Sequence, residues 1–87
     1  MNDEIGWIKI GEARIRADRI VAIIPVHTEG HEVRVYTMDL PGKYLIHYVD
    51  SKEYGDDVVE ALRQTLHKLR GGREGHAWGD HWYVGGD

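Results

Sequence analysis

Residues Ser51 to Arg70 read SKEYGDDVVEALRQTLHKLR. Tyr54, Val58, Leu62, Leu66 and Leu69 recur three or four residues apart, with Ala61 and Thr65 beside them, so a helix here carries one apolar stripe. Lys52, Glu53, Asp56, Glu60, Arg63, Gln64, His67 and Lys68 fall largely off that stripe, which leaves a dry inner face that needs a sheet to cover it. Two pairs have the spacing of an N-terminal cap and its reciprocal acid, Asp50 with Glu53 and Asp57 with Glu60, and Asp56 and Asp57 suit the positive end of the helix dipole. Gly55 costs about 1 kcal/mol against alanine, so residues 51–55 are either a frayed first turn or a separate loop. Gly71-Gly72 after Lys68 and Arg70 marks the end.

On the N-terminal side lie the strands. Ile8-Lys9-Ile10-Gly11-Glu12-Ala13-Arg14-Ile15-Arg16 reads as a tight hairpin with Gly11 leading a type II′ turn, pairing Ile10 with Ala13, Lys9 with Arg14, Ile8 with Ile15 and Trp7 with Arg16. One face then holds Ile8, Ile10, Ala13 and Ile15, and the other Trp7, Lys9, Arg14 and Arg16. Ile20 to Ile24 is β-branched without alternation, as in a central strand or a subunit contact, and Pro25 limits its pairing. Val33–Met38 and Lys43–Val49 are two further strands joined through Pro41-Gly42, by a loop of either four residues or two. Both registers set Val33, Val35, Thr37, Tyr44, Ile46 and Tyr48 toward the helix, and Arg34, Tyr36, Met38, Leu45 and His47 away from it.

On the C-terminal side, residues 71–87 hold six of the eleven glycines and two of the three tryptophans. Glycine at that density resists ordering alone, whereas Trp78, Trp82 and Tyr83 offer large areas for burial. The stretch is expected to be an arm that adds His81-Trp82-Tyr83-Val84 as a last strand to its own sheet or to a neighbouring copy. The fold class is thus α+β. Residues 1–70 form one domain, a strongly bent antiparallel sheet of four to five strands with one helix packed on it, and 71–87 form a Gly-rich aromatic arm.

Composition narrows the function. Absence of cysteine removes disulfides, thiolate nucleophiles and Cys-type zinc sites. No apolar run approaches a membrane span and Met1-Asn2-Asp3-Glu4 is acidic where a signal peptide is basic, so a cytoplasmic protein without membrane contact is expected. The formal net charge of −4 opposes general nucleic-acid binding, yet a local basic face can still meet an anion.

The most suggestive constellation is Trp7, Lys9, Arg14 and Arg16 on one hairpin face with Arg19 following. It offers cations and a stacking ring together, as anion or nucleotide binding requires, although a wet strand face often carries Lys and Arg for solubility alone. His27, Glu29, His31 and Glu32, and separately His76, Asp80 and His81, have metal-ligand chemistry without metal-ligand spacing, so no metal and no cofactor is assigned. The sole serine, Ser51, is placed to begin the helix and has no His and acid at triad spacing. Gly71-Gly72-Arg73-Glu74-Gly75 lacks the ending of a phosphate-binding loop. An enzyme is not expected.

The run IRADRIVAI, a hairpin ending in GKYLIHYV, and the helix DDVVEALRQTL together resemble small bacterial regulators of the FlbD type. The opening IKIGEARIRADRIVAI is similar to the RemA-type matrix regulators, which are related in topology to LytTR DNA-binding sheets. The likeness spans residues 7–69 and implies a compact sheet with one helix and a regulatory or oligomeric role; the aromatic arm has no counterpart in it.

The expected function is a non-enzymatic small binding or regulatory protein, a homo-oligomer holding an anionic ligand such as a nucleotide or nucleic-acid backbone on Trp7, Lys9, Arg14, Arg16 and Arg19, and sequestering it as small phage proteins sequester signalling nucleotides. The rival is a protein-interaction module, an inhibitor of a larger host or phage enzyme, that uses Trp78, Trp82 and Tyr83 of the arm as its interface.

Overall fold

A computed structural model describes residues 6–68, 74–76 and 81–86. Among these described residues seven strands and one α-helix follow in the order β1 (Trp7–Ile10), β2 (Ala13–Arg16), β3 (Ile20–Val26), β4 (His31–Thr37), β5 (Lys43–Val49), α1 (Lys52–Lys68), β6 (Glu74–His76) and β7 (Tyr83–Gly86). They make two sheets, β2-β1-β6 and β3-β4-β5-β7, so the fold is α+β with one helix. All pairings are antiparallel except β1 with β6, which is parallel.

The first hairpin has the register its sequence dictates, from Trp7 opposite Arg16 to Ile10 opposite Ala13. Gly11 has φ +62° and among the described residues no non-glycine residue has positive φ, so of the two central positions only the first has positive φ, as a II′ turn requires and a I′ turn does not. A Cβ on Gly11 would also stand 3.0 Å from the Cβ of Trp82, which crosses over the turn. After β2 a 3-10 turn at Ala17–Arg19 redirects the chain, and the Ala17 N–H donates to the Gly6 carbonyl at 2.8 Å. This turn divides what the sequence suggests as one bent sheet into two. The segment after α1 adds a strand to each of them: β6 beside β1, and β7 beside β5.

The second hairpin corrects the expected faces. Val33 stands opposite His47 and Val35 opposite Leu45, so Leu45, His47 and Val49 share the helix side with Val33, Val35 and Thr37, while Tyr44, Ile46 and Tyr48 turn away with Arg34 and Tyr36. The cause is the connection. The Leu40 N–H bonds to the Thr37 carbonyl at 3.2 Å and the Lys43 N–H to the Leu40 carbonyl at 3.0 Å, giving two turns in succession and a five-residue link between Thr37 and Lys43. An odd-length link moves every side chain of β5 to the opposite face from an even one.

Ser51 settles where α1 begins. Its Oγ accepts the Tyr54 N–H at 3.1 Å and its carbonyl the Gly55 N–H at 3.0 Å, so Ser51 caps the helix and neither acid pair is needed. Gly55 lies buried in the first turn, where a Cβ would come within 3.2 Å of Val49 and 3.3 Å of His27. The cost of a helical glycine is thus offset by close seating of α1 on the end of β5. Tyr54 is exposed, and the dry stripe runs through Val58, Val59 and Leu62, with Leu66 packed against it. Val58, Val59 and Leu62 of the helix share one core with Ile8, Ile10 and Ile15 of the first sheet and Ile23, Val33, Val35, Leu45 and Val49 of the second. Full burial of a side chain such as Leu62 contributes about 2 kcal/mol.

Candidate functional site

The outward face of β1 and β2 gathers four of the five residues singled out for anion binding, since Trp7 faces Arg16 and Lys9 faces Arg14 across the hairpin. The Arg14 guanidinium lies 4.7 Å from the centroid of the Trp7 ring, a cation on an aromatic face. Arg16 reaches Asp18 at 3.0 Å, and Arg19, beyond the hairpin, reaches Asp39 at 2.6 Å. Both ion pairs are more than two-fifths exposed, so each contributes at most about 1 kcal/mol and water or a stronger anion can exchange with it. Lys9 is exposed.

A second surface lies on the side of the β3-β4-β5-β7 sheet away from α1. Register places Ala22, Ile24 and Val26 of β3, Glu32, Arg34 and Tyr36 of β4, Tyr44, Ile46 and Tyr48 of β5, and Tyr83 of β7 on this one face. Among the described residues no helix or strand covers it. Tyr36 and Tyr44 stand opposite each other with ring centroids 5.2 Å apart, and Tyr48 and Tyr83 lie 6.0 Å apart across β5 and β7. Tyr48 is 60% and Tyr83 54% exposed. Among the described residues the face has two charges, and they neutralise each other: Arg34 Nε donates to the Glu32 carboxylate while its guanidinium lies 4.6 Å from the centroid of the Tyr44 ring. The Glu32 hydrogen bond first, then that of Tyr36, holds the Arg34 guanidinium well above even its ordinary high range, so it stays charged.

The arm residues take different places. Trp82 is half-buried, stacked on His47 at 5.0 Å and packed against the core, and the His47 ring bonds through Nδ1 to the His81 carbonyl at 2.9 Å. Tyr83, its neighbour, points to the open face. Trp78 and Asp80 lie outside the described residues.

Of the histidine and acid groups, His27 and His31 come together with Nδ1 atoms 2.9 Å apart, and Asp56 of α1 reaches His27 Nε2 at 3.6 Å. Glu32 is turned to Arg34 instead. Among the described residues no group of three or more His, Asp or Glu is arranged to hold a metal ion, and no helix is long and apolar enough to cross a membrane.

Sequence reasoning missed the tyrosine face as a unit because it sorted Tyr44 and Tyr48 inward. The available signal was chemical. Three tyrosines in the two strands fit a half-wet face better than the helix side, where a hydroxyl needs a buried partner, and Leu45 with Val49 fits the dry side. Compared with known proteins, the chain matches no family model, no curated protein and no solved structure.

Proposed function

We propose that this chain is a non-enzymatic binding protein that docks on a larger protein through the open face of the β3-β4-β5-β7 sheet. The observation that supports this reading is the composition of that face: four tyrosines and the four aliphatic residues Ala22, Ile24, Val26 and Ile46 surround one internally neutralised Arg-Glu pair. A sheet face evolved only for solvation carries unpaired Lys and Glu, whereas protein interfaces are enriched in Tyr and Arg and depleted in Lys and Glu. The same face suits nucleic acid poorly, because its one cation is already matched by Glu32 and a phosphate backbone needs several. Tyr83 belongs to the arm proposed from sequence as an interface, so the reading keeps one of those residues and adds Tyr36, Tyr44 and Tyr48.

The test is affinity capture from cells expressing the chain, comparing the wild type with Tyr48→Glu/Tyr83→Glu. Loss of a wild-type partner by this variant, with its circular dichroism unchanged, supports the face. Retention of every partner rejects it.

A second reading, anion binding on the hairpin, is favoured by one observation: Trp7, Lys9, Arg14 and Arg16 share a face on which the Arg16–Asp18 ion pair is exposed and exchangeable. Calorimetric titration with a nucleotide at two salt concentrations tests it. Binding that weakens with salt and is lost in Lys9→Ala/Arg14→Ala supports it, and heat unchanged by that variant rejects it.

A further inference from the structure

β3 has one hydrogen-bonded neighbour, β4, and among the described residues nothing pairs with its other edge. Its sequence, IVAIIPV, carries no charge, and Val21 and Ile24 are 64% and 41% exposed. Sheet edges exposed to solvent are ordinarily blunted by lysines, prolines or bulges. Here the bulge between Ile20 and Ala22 and the proline at 25 lie toward the two ends, and the stretch between them is wholly apolar. Beside this edge, Ile20 to Ile24 together with Arg63 and Leu66 of α1 line an open groove of about 460 Å³.

The charge order along α1 identifies the occupant. Glu53, Asp56, Asp57 and Glu60 fall in its first half, where Lys52 is the one base and lies 3.8 Å from Asp56; Arg63, His67 and Lys68 fall in its second half, which has no acid. When two copies meet edge to edge about a two-fold axis normal to the sheet, their β3 strands run antiparallel and so do their helices on the same side. The acidic half of each helix then faces the basic half of the other. Stacking by translation would instead set like charges side by side, so the pattern favours a closed pair over an open fibre.

We infer that a second copy of this chain docks on the β3 edge, joining two four-stranded sheets into one of eight strands with the α1 helices antiparallel above it. Val21 and Leu66 become its apolar centre, and Arg63 with Glu60 its charged flank. The tyrosine face stays outside this contact and becomes continuous across the pair.

Analytical ultracentrifugation of the full chain decides the matter. The wild type is expected at twice the protomer mass, and Val21→Lys, which alters an exposed side chain, at the protomer mass with unchanged circular dichroism. Arg63→Glu, on the helix flank, is expected to weaken self-association about tenfold, since it replaces attraction by repulsion. Tyr48→Ala is expected to leave the mass unaltered, which separates this contact from the partner-binding face. A wild type at the protomer mass up to its solubility limit overturns the inference, as does a twofold mass that persists in both Val21→Lys and Arg63→Glu. A pair dissolved by Tyr48→Ala and not by Val21→Lys also overturns it.

Discussion

The outward face of the first hairpin and the open face of the larger sheet are both turned from the core, yet they have opposite chemistry. The hairpin face is cationic, with Lys9, Arg14 and Arg16 around Trp7, and its Arg16–Asp18 ion pair is exposed. The larger face is nearly neutral and aromatic, with its single cation matched by Glu32 and laid on Tyr44. Solvation alone accounts for the first pattern. It does not account for the second, because three exposed or half-exposed tyrosines on two adjacent strands hold apolar area in contact with water. On the docking function proposed above, the two faces differ in what their charges are doing, and not in how many residues are exposed.

The largest expected effect separates the two sides of β5. Leu45→Ala should destabilise the fold by about 2–5 kcal/mol in denaturant unfolding, whereas Tyr48→Ala should cost less than about 1 kcal/mol. Equal losses would mean that the five-residue link between Thr37 and Lys43 does not set the register described. Next comes the Arg-Glu pair. Glu32→Gln removes the carboxylate from a half-buried guanidinium and should cost about 1–3 kcal/mol in the same measurement; a neutral result would make the pair ornamental. Smallest is the hairpin pair. Arg16→Ala or Asp18→Ala should change stability by no more than about 1 kcal/mol, with the difference vanishing in high salt. A larger, salt-insensitive loss would show that Arg16 is held too firmly to meet a ligand.

Much of the fold was legible in residue pattern. The two-residue turn at Gly11-Glu12 leaves no freedom of register, so the inward set Ile8, Ile10 and Ile15 follows from the sequence alone. The helix followed from its apolar spacing, although its cap did not: Asp50, Ser51 and Asp57 spread the possible start over up to two turns, and the hydrogen bond from Tyr54 N–H to Ser51 Oγ decides between them. The link at 38–42 was not legible, because Pro41-Gly42 fixes one turn and says nothing of the second turn before it. One residue in that count reverses all of β5. The basic face was therefore readable and the tyrosine face was not, for a reason of parity rather than composition. The role of Gly55 was hidden too, since close seating against Val49 and His27 is a tertiary demand that outweighs local helix preference.

The pairing of Trp7–Lys9 with Glu74–His76, and of Lys43–Ile46 with Tyr83–Gly86, joins segments far apart along the chain. Ordering such distant partners consumes entropy before it returns contacts, so refolding should be paced by these late closures and not by the quick local hairpin. In a stopped-flow experiment the fluorescence of Trp82, seated on His47 only once β7 is in place, should trail the first rise in secondary structure.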